Sequence, residues 1–471
     1  MNLACASAGQ ARLVPEMDLT SRLRSIVRGN RPAEPSPAGR RELTYEPDVG
    51  GYEAGIAPER IGELLGGRTI LTKFGQCLAI DRRYESDRRH GTVPIGDCEL
   101  EDGRGLQLLD PSLAVAATSS LGAPSANRTV FIDLETTGLS GGAGTVAFLV
   151  GCGWFDYGAF QVRQFLLTSF AAERALLAAV AEFFADADLI VTYNGKTFDV
   201  PVMETRWMFH RLSMPLDGVP HFDMLHPARR LWSMRNGGGS IAMPMRVDEG
   251  GCRLTTLERV LFDVTRVGDV PGFEIPSRFF RFLRSGDPRP LEPVLEHNRL
   301  DLVSLAAVTA RAARLAQDGV DACRDSAEAL ALGRVYERAG SVDNAEQCYV
   351  RAARSDLRDV RLEALYRLGL RHRRSRRFAE AADCWRSLLE LTESRRGRRA
   401  DATAASLRQF AAEALAIHHE HRVRNFGAAR ELALFALEEA SGSGPRADGM
   451  RHRLARLDRK IARTNSELLF S

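Results

Sequence analysis

The stretch Phe131-Ile-Asp-Leu-Glu-Thr-Thr-Gly-Leu139 decides the fold of the central part of this chain. An apolar run rich in β-forming residues ends in two carboxylates, Asp133 and Glu135. Side chains alternate between the two faces of a strand, so both carboxylates project from the same face. Two such charges need a counter-charge, and the hard cations Mg²⁺ and Mn²⁺ prefer oxygen ligands. The pattern predicts a metal-binding strand rather than a solvated polar pair.

The sequence that follows this stretch predicts a mixed α/β sheet. Two more β-rich runs lie between Gly144 and Leu167, and an amphipathic helix is predicted from Ala171 to Ala185. A buried strand from Asp188 to Tyr193 comes next and ends in an Asn-Gly turn. Three strands followed by a helix and a further strand indicate a sheet flanked by helices, in the order found in nucleases.

A second candidate site lies in Asn194-Gly-Lys-Thr-Phe-Asp-Val-Pro201, directly after the buried strand. Asn194 at a strand-to-helix turn would place Asp199 near the start of the helix. There the partly positive helix end and a metal ion would both stabilise its charge. The alternative is an ordinary Asn-Gly turn followed by a helix-capping Asp.

A third candidate site is Glu296-His-Asn-Arg-Leu-Asp301, in a late predicted helix. His297 and Asp301 are four residues apart and therefore share one face of that helix. A histidine that is neutral near pH 7 is suited to accept a proton from water. The alternative is a structural or surface histidine.

Taken in order, the three motifs resemble those of the DEDD exonuclease superfamily: a strand bearing D-x-E before Thr-Gly, an Asn followed by Asp, and a late helix bearing His and Asp. The sequence between them, including His221-Phe-Asp-Met-Leu-His226, is more specifically similar to the bacterial YprB-like ribonuclease-H-like family. This resemblance covers roughly Arg128 to Arg314. One departure is the His-x3-Asp spacing of His297, where the His-type branch of the superfamily has His-x4-Asp.

The resemblance implies a metal-dependent 3′-to-5′ exonuclease domain at residues 126–318, which hydrolyses single-stranded DNA or RNA ends with two Mg²⁺ or Mn²⁺ ions. The implied metal ligands, which are also catalytic, are Asp133, Glu135, Asp199 and Asp301. His297 would be the general base. The residues implied to contact or orient the substrate are Thr136, Thr137, Asn194 and Asp223, although Asp223 is equally well explained as structural.

Outside this domain the sequence predicts three further regions. Residues 1–42 form a flexible segment, and residues 43–125 a small strand-containing element. Residues 321–471 are helical and resemble tetratricopeptide repeats, because Gly333 and Gly369 lie 36 residues apart, close to the usual period of about 34. An unrelated helical bundle is the alternative.

Composition excludes several classes of protein. The 8 cysteines include no CxxC pair, which argues against a zinc ribbon or a disulfide framework. No apolar run is long enough to span a bilayer, so we expect a cytoplasmic protein without a membrane partner. The segment from Asp321 to Ser471 carries 29 Lys and Arg against 22 Asp and Glu, a diffuse charge of +7. We therefore expect the repeats to bind an unknown protein partner, while the nuclease domain binds nucleic acid.

Two other functions are compatible with the sequence. In one, the nuclease fold has lost activity and serves as a nucleic-acid-binding module whose repeats recruit a protein. In the other, the repeats act mainly as a scaffold. A complete set of four carboxylates favours catalysis, because a pure binder has no physical need for them beside a polyanion.

Overall fold

The computed structural model describes residues 58–113, 128–138, 144–232, 252–393, 402–439 and 444–469. The flexible segment predicted at residues 1–42 lies outside these ranges. From Ile56 to Ser471 the chain forms one compact unit. No helix in the described ranges is long and apolar enough to cross a membrane.

The predicted mixed sheet is present and has seven strands. They are β1 (Arg68–Thr72), β2 (Gly75–Tyr84), β5 (Thr129–Thr136), β6 (Ala147–Asp156), β7 (Ala159–Leu166), β8 (Leu189–Thr192) and β9 (His221–Asp223), and a separate hairpin contains β3 (Arg89–His90) and β4 (Val93–Pro94). The order across the sheet is β1-β2-β7-β6-β5-β8-β9. Strands β5, β8 and β9 run parallel to one another, whereas the other neighbours are antiparallel.

The strands predicted between residues 43 and 125 extend this sheet. Strand β2 pairs with β7 from Leu78 opposite Leu166 to Tyr84 opposite Phe160. This pairing places the β3–β4 hairpin beside the sheet, where the backbone N–H of Thr92 donates to the carbonyl of Phe262 at 2.7 Å. Residues 58–113 therefore share the hydrophobic core of the central domain.

Eight α-helices accompany the sheet among the described residues up to residue 318. They are α1 (Pro58–Leu65), α2 (Arg104–Leu109), α3 (Glu173–Phe184), α4 (Asp199–Phe209), α5 (Leu225–Trp232), α6 (Leu254–Phe262), α7 (Ile275–Ser285) and α8 (Glu292–Asp318). Helix α3 confirms the helix predicted from Ala171 to Ala185.

The long helix α8 crosses the sheet on the face that carries the side chains of Phe131 and Asp133. Its buried side is rich in small residues, and a Cβ at Gly105 in α2 would lie 2.4 Å from the carbonyl oxygen of Ala313. This close approach packs α8 against α2. Helix α8 also packs against strand β5. The sheet and this helix together fix the positions of two of the three motifs.

The described residues after 322 are helical, as predicted. Its helices are α9 (Ser326–Ala339), α10 (Val342–Ala352), α11 (Arg358–Arg374), α12 (Phe378–Glu393), α13 (Ala402–His418), α14 (Phe426–Glu439) and α15 (Pro445–Leu469). Each helix packs against the next one along the chain. The helical region is joined to the central domain by hydrogen bonds from Trp232 Nε1 to Glu328 Oε1 at 2.9 Å and from Tyr336 Oη to the carbonyl of Ala316 at 2.7 Å.

The two predicted repeats make equivalent contacts. A Cβ on Gly333 in α9 would lie 2.5 Å from the ring of Tyr349, and one on Gly369 in α11 would lie 2.3 Å from Trp385 Nε1. Tyr349 and Trp385 are separated by the same 36 residues as the glycines. Each helix pair therefore packs a large aromatic ring directly on a glycine.

Candidate active site

Asp133 and Glu135 occupy the end of β5, on the face covered by α8. Strand β5 lies between β6 and β8 in the middle of the sheet, and Asp133 is paired with Gly151 of β6. The register shifts between Glu135 and Thr136, which ends the regular strand just past the second carboxylate. The Glu135 side chain is 12% exposed.

Asp199 approaches from a second element as the first residue of α4, and it is 7% exposed. The turn before it depends on Asn194, whose φ of 71° lies in the left-handed region that Asn tolerates better than most residues. Burial, and then the negative charge of Asp223, raise the pKa of Asp199 to about 7. The helix start offsets only part of this cost.

Asp301 and His297 come from a third element, helix α8, one turn apart. His297 Nε2 lies 3.4 Å from Asp301 Oδ2 and 4.0 Å from Glu135 Oε1. The departure from the usual spacing therefore does not prevent the imidazole from facing the carboxylates. The side chains of His297 and Asp301 are 15% and 17% exposed, so the site remains open to solvent.

The four carboxylates act on one another electrostatically. Burial raises the pKa of Asp133 well above its ordinary value, and the charges of Asp301, Glu135 and Asp199 raise it further. Burial and the charges of Asp301 and Asp199 raise the pKa of Glu135 in the same way. The three elements thus bring together the acidic residues that the sequence singled out, and their charges repel.

This donor set suits a hard divalent cation, because every group is a carboxylate and carboxylate oxygens are the ligands that such cations prefer. As placed, no three His, Cys, Asp or Glu side chains among the described residues lie close enough together to hold one metal ion. Asp301 instead contacts Arg266, whose Nη2 lies 2.5 Å from its Oδ1. The chemistry of the residues fits Mg²⁺ or Mn²⁺, while Asp301 is held by a protein cation.

Asn298, which the sequence analysis did not select, ties β5 to α8. Its Nδ2 donates to Asp133 Oδ2 at 2.8 Å and to the Asp133 carbonyl at 3.1 Å, and its Oδ1 accepts from Gln164 Nε2 at 2.8 Å. Asn298 is fully buried, and only a glycine at 151 leaves room for it. A glycine within an apolar strand signals such a close approach, so Gly151 was the available clue.

Arg266 and Asp269, in the loop after α6, were also missed. Arg266 binds Glu258 through two contacts, Nε to Oε1 at 2.7 Å and Nη2 to Oε2 at 2.8 Å, and it contacts Asp301 as well. Asp269 Oδ1 lies 2.6 Å from His297 Nδ1. Nothing in the sequence spacing connects this loop to α8, because the contact is made across the fold.

The predicted substrate-contacting residues lie around the same site. Asp223 accepts hydrogen bonds from the backbone N–H groups of Asn194 at 2.8 Å, Lys196 at 3.0 Å and Leu225 at 3.1 Å. It therefore shapes the turn that leads to Asp199.

The two threonines that follow Glu135 also hold backbone. Thr136 Oγ1 donates to the carbonyl of Gly138 at 2.7 Å, and Thr137 Oγ1 accepts from the N–H of Val146 at 3.0 Å. These contacts hold the backbone of Gly138 and Val146, on either side of the residues that lie outside the described ranges.

Comparison with known proteins identifies the class of the central domain and the family of the chain. Residues 130–313 match the RNase_H superfamily, which identifies the central part as a ribonuclease-H-like domain and indicates a nuclease-like activity. The chain is also 30% identical over 407 residues to uncharacterized protein YprB of Bacillus subtilis (strain 168). The matched region covers 85% of this chain and 90% of that protein. The chain belongs to the same family as YprB.

Proposed function

We propose that this protein is a divalent-metal-dependent 3′-to-5′ exonuclease that hydrolyses single-stranded DNA or RNA ends. The observation that carries the proposal is the convergence of Asp133, Glu135, Asp199 and Asp301 from β5, α4 and α8. Their mutual repulsion, expressed in the raised pKa of Asp133 and Glu135, is the expected property of a cation-binding carboxylate set.

The proposed roles follow from position. Asp133, Glu135, Asp199 and Asp301 would together hold two Mg²⁺ or Mn²⁺ ions. When bound, such ions supply Lewis acidity at the scissile phosphate. His297 would accept the proton of the attacking water at Nε2, which already faces the carboxylates. Thr136, Thr137, Asn194 and Asp223 would orient the substrate, the last through the turn that it holds.

The test uses the full-length protein with oligonucleotides labelled at the 5′ end, in single- and double-stranded DNA and RNA forms. Each is incubated with Mn²⁺, Mg²⁺ or EDTA, beside an Asp133→Asn variant. A ladder that shortens from the 3′ end with Mn²⁺ or Mg²⁺, and that disappears with EDTA and with the variant, supports the proposal. Internal cuts would instead indicate an endonuclease.

A second candidate is a nucleic-acid-binding module without catalysis. It is favoured by one observation, the contact of Arg266 with Asp301, which satisfies part of the metal-ligand set with a protein cation. The same assay separates the two. Binding without cleavage under every metal condition supports the module.

We further propose that the helical region is a tetratricopeptide-like repeat array that binds a protein partner. The equivalent packing of Gly333 on Tyr349 and of Gly369 on Trp385 supports a repeated unit. Stacked helix pairs of this kind expose extended surfaces that recognise peptide segments by shape. Oligonucleotide binding by residues 321–471 with a steep salt dependence would contradict this.

A further inference from the structure

We infer that Asp269 and Arg266 are positioning residues for the proposed catalysis. Asp269 would set the tautomer and orientation of His297, and Arg266 would hold Asp269 and Asp301 in one arrangement. The inference rests on the proposed nuclease function, because it assigns roles to residues that act through His297 and Asp301.

The first step concerns the His297 ring. Asp269 Oδ1 lies 2.6 Å from His297 Nδ1, which makes Nδ1–H the donor and leaves the lone pair of the neutral ring on Nε2. Nε2 is the atom that faces Asp301 and Glu135. A carboxylate that accepts from the far side of an imidazole fixes which nitrogen can take up a proton. Asp269 therefore presents the basic nitrogen of His297 to the site.

The charge state of Asp269 supports this role. Burial by itself would raise the pKa of Asp269, but the hydrogen bond from His297 Nδ1–H and the nearby charge of Arg266 hold it below its ordinary value. The carboxylate also accepts from the backbone N–H of Val270 at 2.9 Å. An ionised and anchored Asp269 is the orienting partner that the histidine needs.

The second step concerns Arg266, whose side chain is 6% exposed. Its guanidinium contacts three carboxylates, with Nη2 2.5 Å from Asp301 Oδ1, Nη1 3.3 Å from Asp269 Oδ2, and two contacts to Glu258. One planar cation thus sets the relative positions of the loop after α6 and helix α8.

Through Glu258, the contacts of Arg266 extend to the β3–β4 hairpin. Glu258 accepts a hydrogen bond from Ser304 Oγ, and Ser304 Oγ lies 2.9 Å from His90 Nε2. His90 is buried, and burial lowers its pKa to about 4, so it remains a neutral donor. These contacts fix the carboxylate of Glu258 to which Arg266 binds.

The network also accounts for the spacing of the third motif. His297 precedes Asp301 by four residues, one fewer than in the His-type branch of the superfamily whose motifs this sequence resembles. In this structure Asp269, which lies in the loop after α6 and not in α8, holds the imidazole toward the site. We therefore expect Asp269 to matter only while His297 is present.

The test compares Asp269→Ala and Asp269→Asn with Asp263→Asn in full-length protein. Asp263 is exposed in the same loop, and its φ of 58° suits Asn, so it is a matched control. We expect Asp269→Ala to lower kcat by about 10- to 100-fold with little change in KM. Asp269→Asn should retain more activity, because its amide oxygen still accepts from Nδ1–H. In a His297→Ala background, Asp269→Ala should cause no further loss.

Two readouts distinguish this inference from the proposed function. ¹⁵N NMR of labelled histidines should show the Nδ1–H tautomer of His297 in the wild-type protein and a mixture in Asp269→Ala, whether or not any nucleic acid is cleaved. A wild-type protein that cleaves nothing but keeps this tautomer contradicts the nuclease, not the positioning by Asp269. An unchanged tautomer in Asp269→Ala overturns the inference, as does an equal loss of kcat with and without His297.

Arg266→Lys, compared with Arg259→Lys at an exposed position of α6, tests the second residue. Lysine keeps the charge but cannot form the two-pronged contact with Glu258 while also reaching Asp301. We expect kcat to fall by about 10- to 100-fold for Arg266→Lys and not for Arg259→Lys. Wild-type kcat in Arg266→Lys would remove Arg266 from the positioning network.

Discussion

Asn298 Nδ2 donates to Asp133 Oδ2 at 2.8 Å and to the carbonyl oxygen of the same residue at 3.1 Å. The contact joins the interior strand β5 to helix α8, and it holds the carboxylate of Asp133, one of the proposed metal ligands. Gln164, on strand β7 beyond β6, donates to Asn298 Oδ1 at 2.8 Å and so fixes the orientation of the amide.

Gly151→Ala tests this contact. The added Cβ would lie 2.2 Å from Asn298 Oδ1, so Asn298 must move and release Asp133. Overpacking of this kind lowers the free energy of unfolding by about 1–3 kcal/mol, and we expect kcat to fall as well. Urea unfolding and turnover are measured beside Gly144→Ala, where a Cβ would meet nothing within 4 Å. Wild-type stability and turnover in Gly151→Ala would mean that the contact is dispensable.

Asp133→Asn is expected to lower turnover by about 10³-fold or more, because it removes one charge from the proposed ligand set. The fold should remain intact. The pKa of Asp133 is raised in the folded protein, so its ionised form opposes folding near neutral pH. The metal-free variant should therefore be at least as stable as the wild-type protein.

Thermal unfolding in EDTA and turnover with Mn²⁺ check both parts of this prediction, with Asp156→Asn at the exposed end of β6 as the control. A lower melting temperature without metal would contradict the electrostatic argument. Full turnover would contradict the proposed site.

His297→Ala should reduce turnover by about 10²–10⁴-fold if His297 is the general base. A higher pH should partly restore the rate, because hydroxide replaces the water that His297 would deprotonate. The measurement is kcat from pH 7 to pH 9.5 for both proteins, with Mn²⁺ affinity as a second quantity. Full activity with an unchanged pH profile would leave the four carboxylates as the whole catalytic apparatus.

Gly369→Ala should destabilise the helical region. The new Cβ would lie 2.3 Å from Trp385 Nε1, a ring atom that is held in the core between α11 and α12. We expect the free energy of unfolding to fall by about 1–3 kcal/mol. Gly449→Ala in α15, where the Cβ meets nothing within 4 Å, should leave stability unchanged or raise it by up to about 1 kcal/mol. Equal stability for the two variants would contradict the tight glycine–tryptophan packing.

Glu420 should make the helical region sensitive to acid. It is 2% exposed, and hydrogen bonds from Arg456 and Lys460 hold its pKa below its ordinary value of 4.5. A lowered folded-state pKa gives stability that is present above pH 4.5 and is lost as the pH falls below it.

Glu420→Gln should therefore be less stable than the wild-type protein at pH 7, and the difference should shrink below pH 4.5. Chemical denaturation at pH 7, 5, 4 and 3 measures this difference. A difference that stays constant with pH would contradict the role of the charge. Glu438→Gln, at an exposed position of α14, is a suitable comparison.

Local sequence was sufficient for strands β5 to β8, for helix α3 and for the local structure of the three motifs. The alternation of apolar residues in β5 placed Asp133 and Glu135 on one face, and helical spacing placed His297 beside Asp301. The Asn-Gly turn indicated that Asp199 would begin a helix, and the structure places it as the first residue of α4. These inferences depend on periods of two and of about 3.6 residues, which any short segment carries within itself.

Only the tertiary structure decided which groups surround those side chains. Arg266 meets Asp301 across 35 positions of sequence, Asn298 meets Asp133 across 165, and Ser304 meets His90 across 214. No periodicity links such distant residues, because the contacts form only when α8 packs across the sheet and the loop after α6 folds back on it. The tertiary structure also decided that strands β1 and β2 join the central sheet. Strand β2 pairs with β7, which would otherwise be an open edge of the sheet.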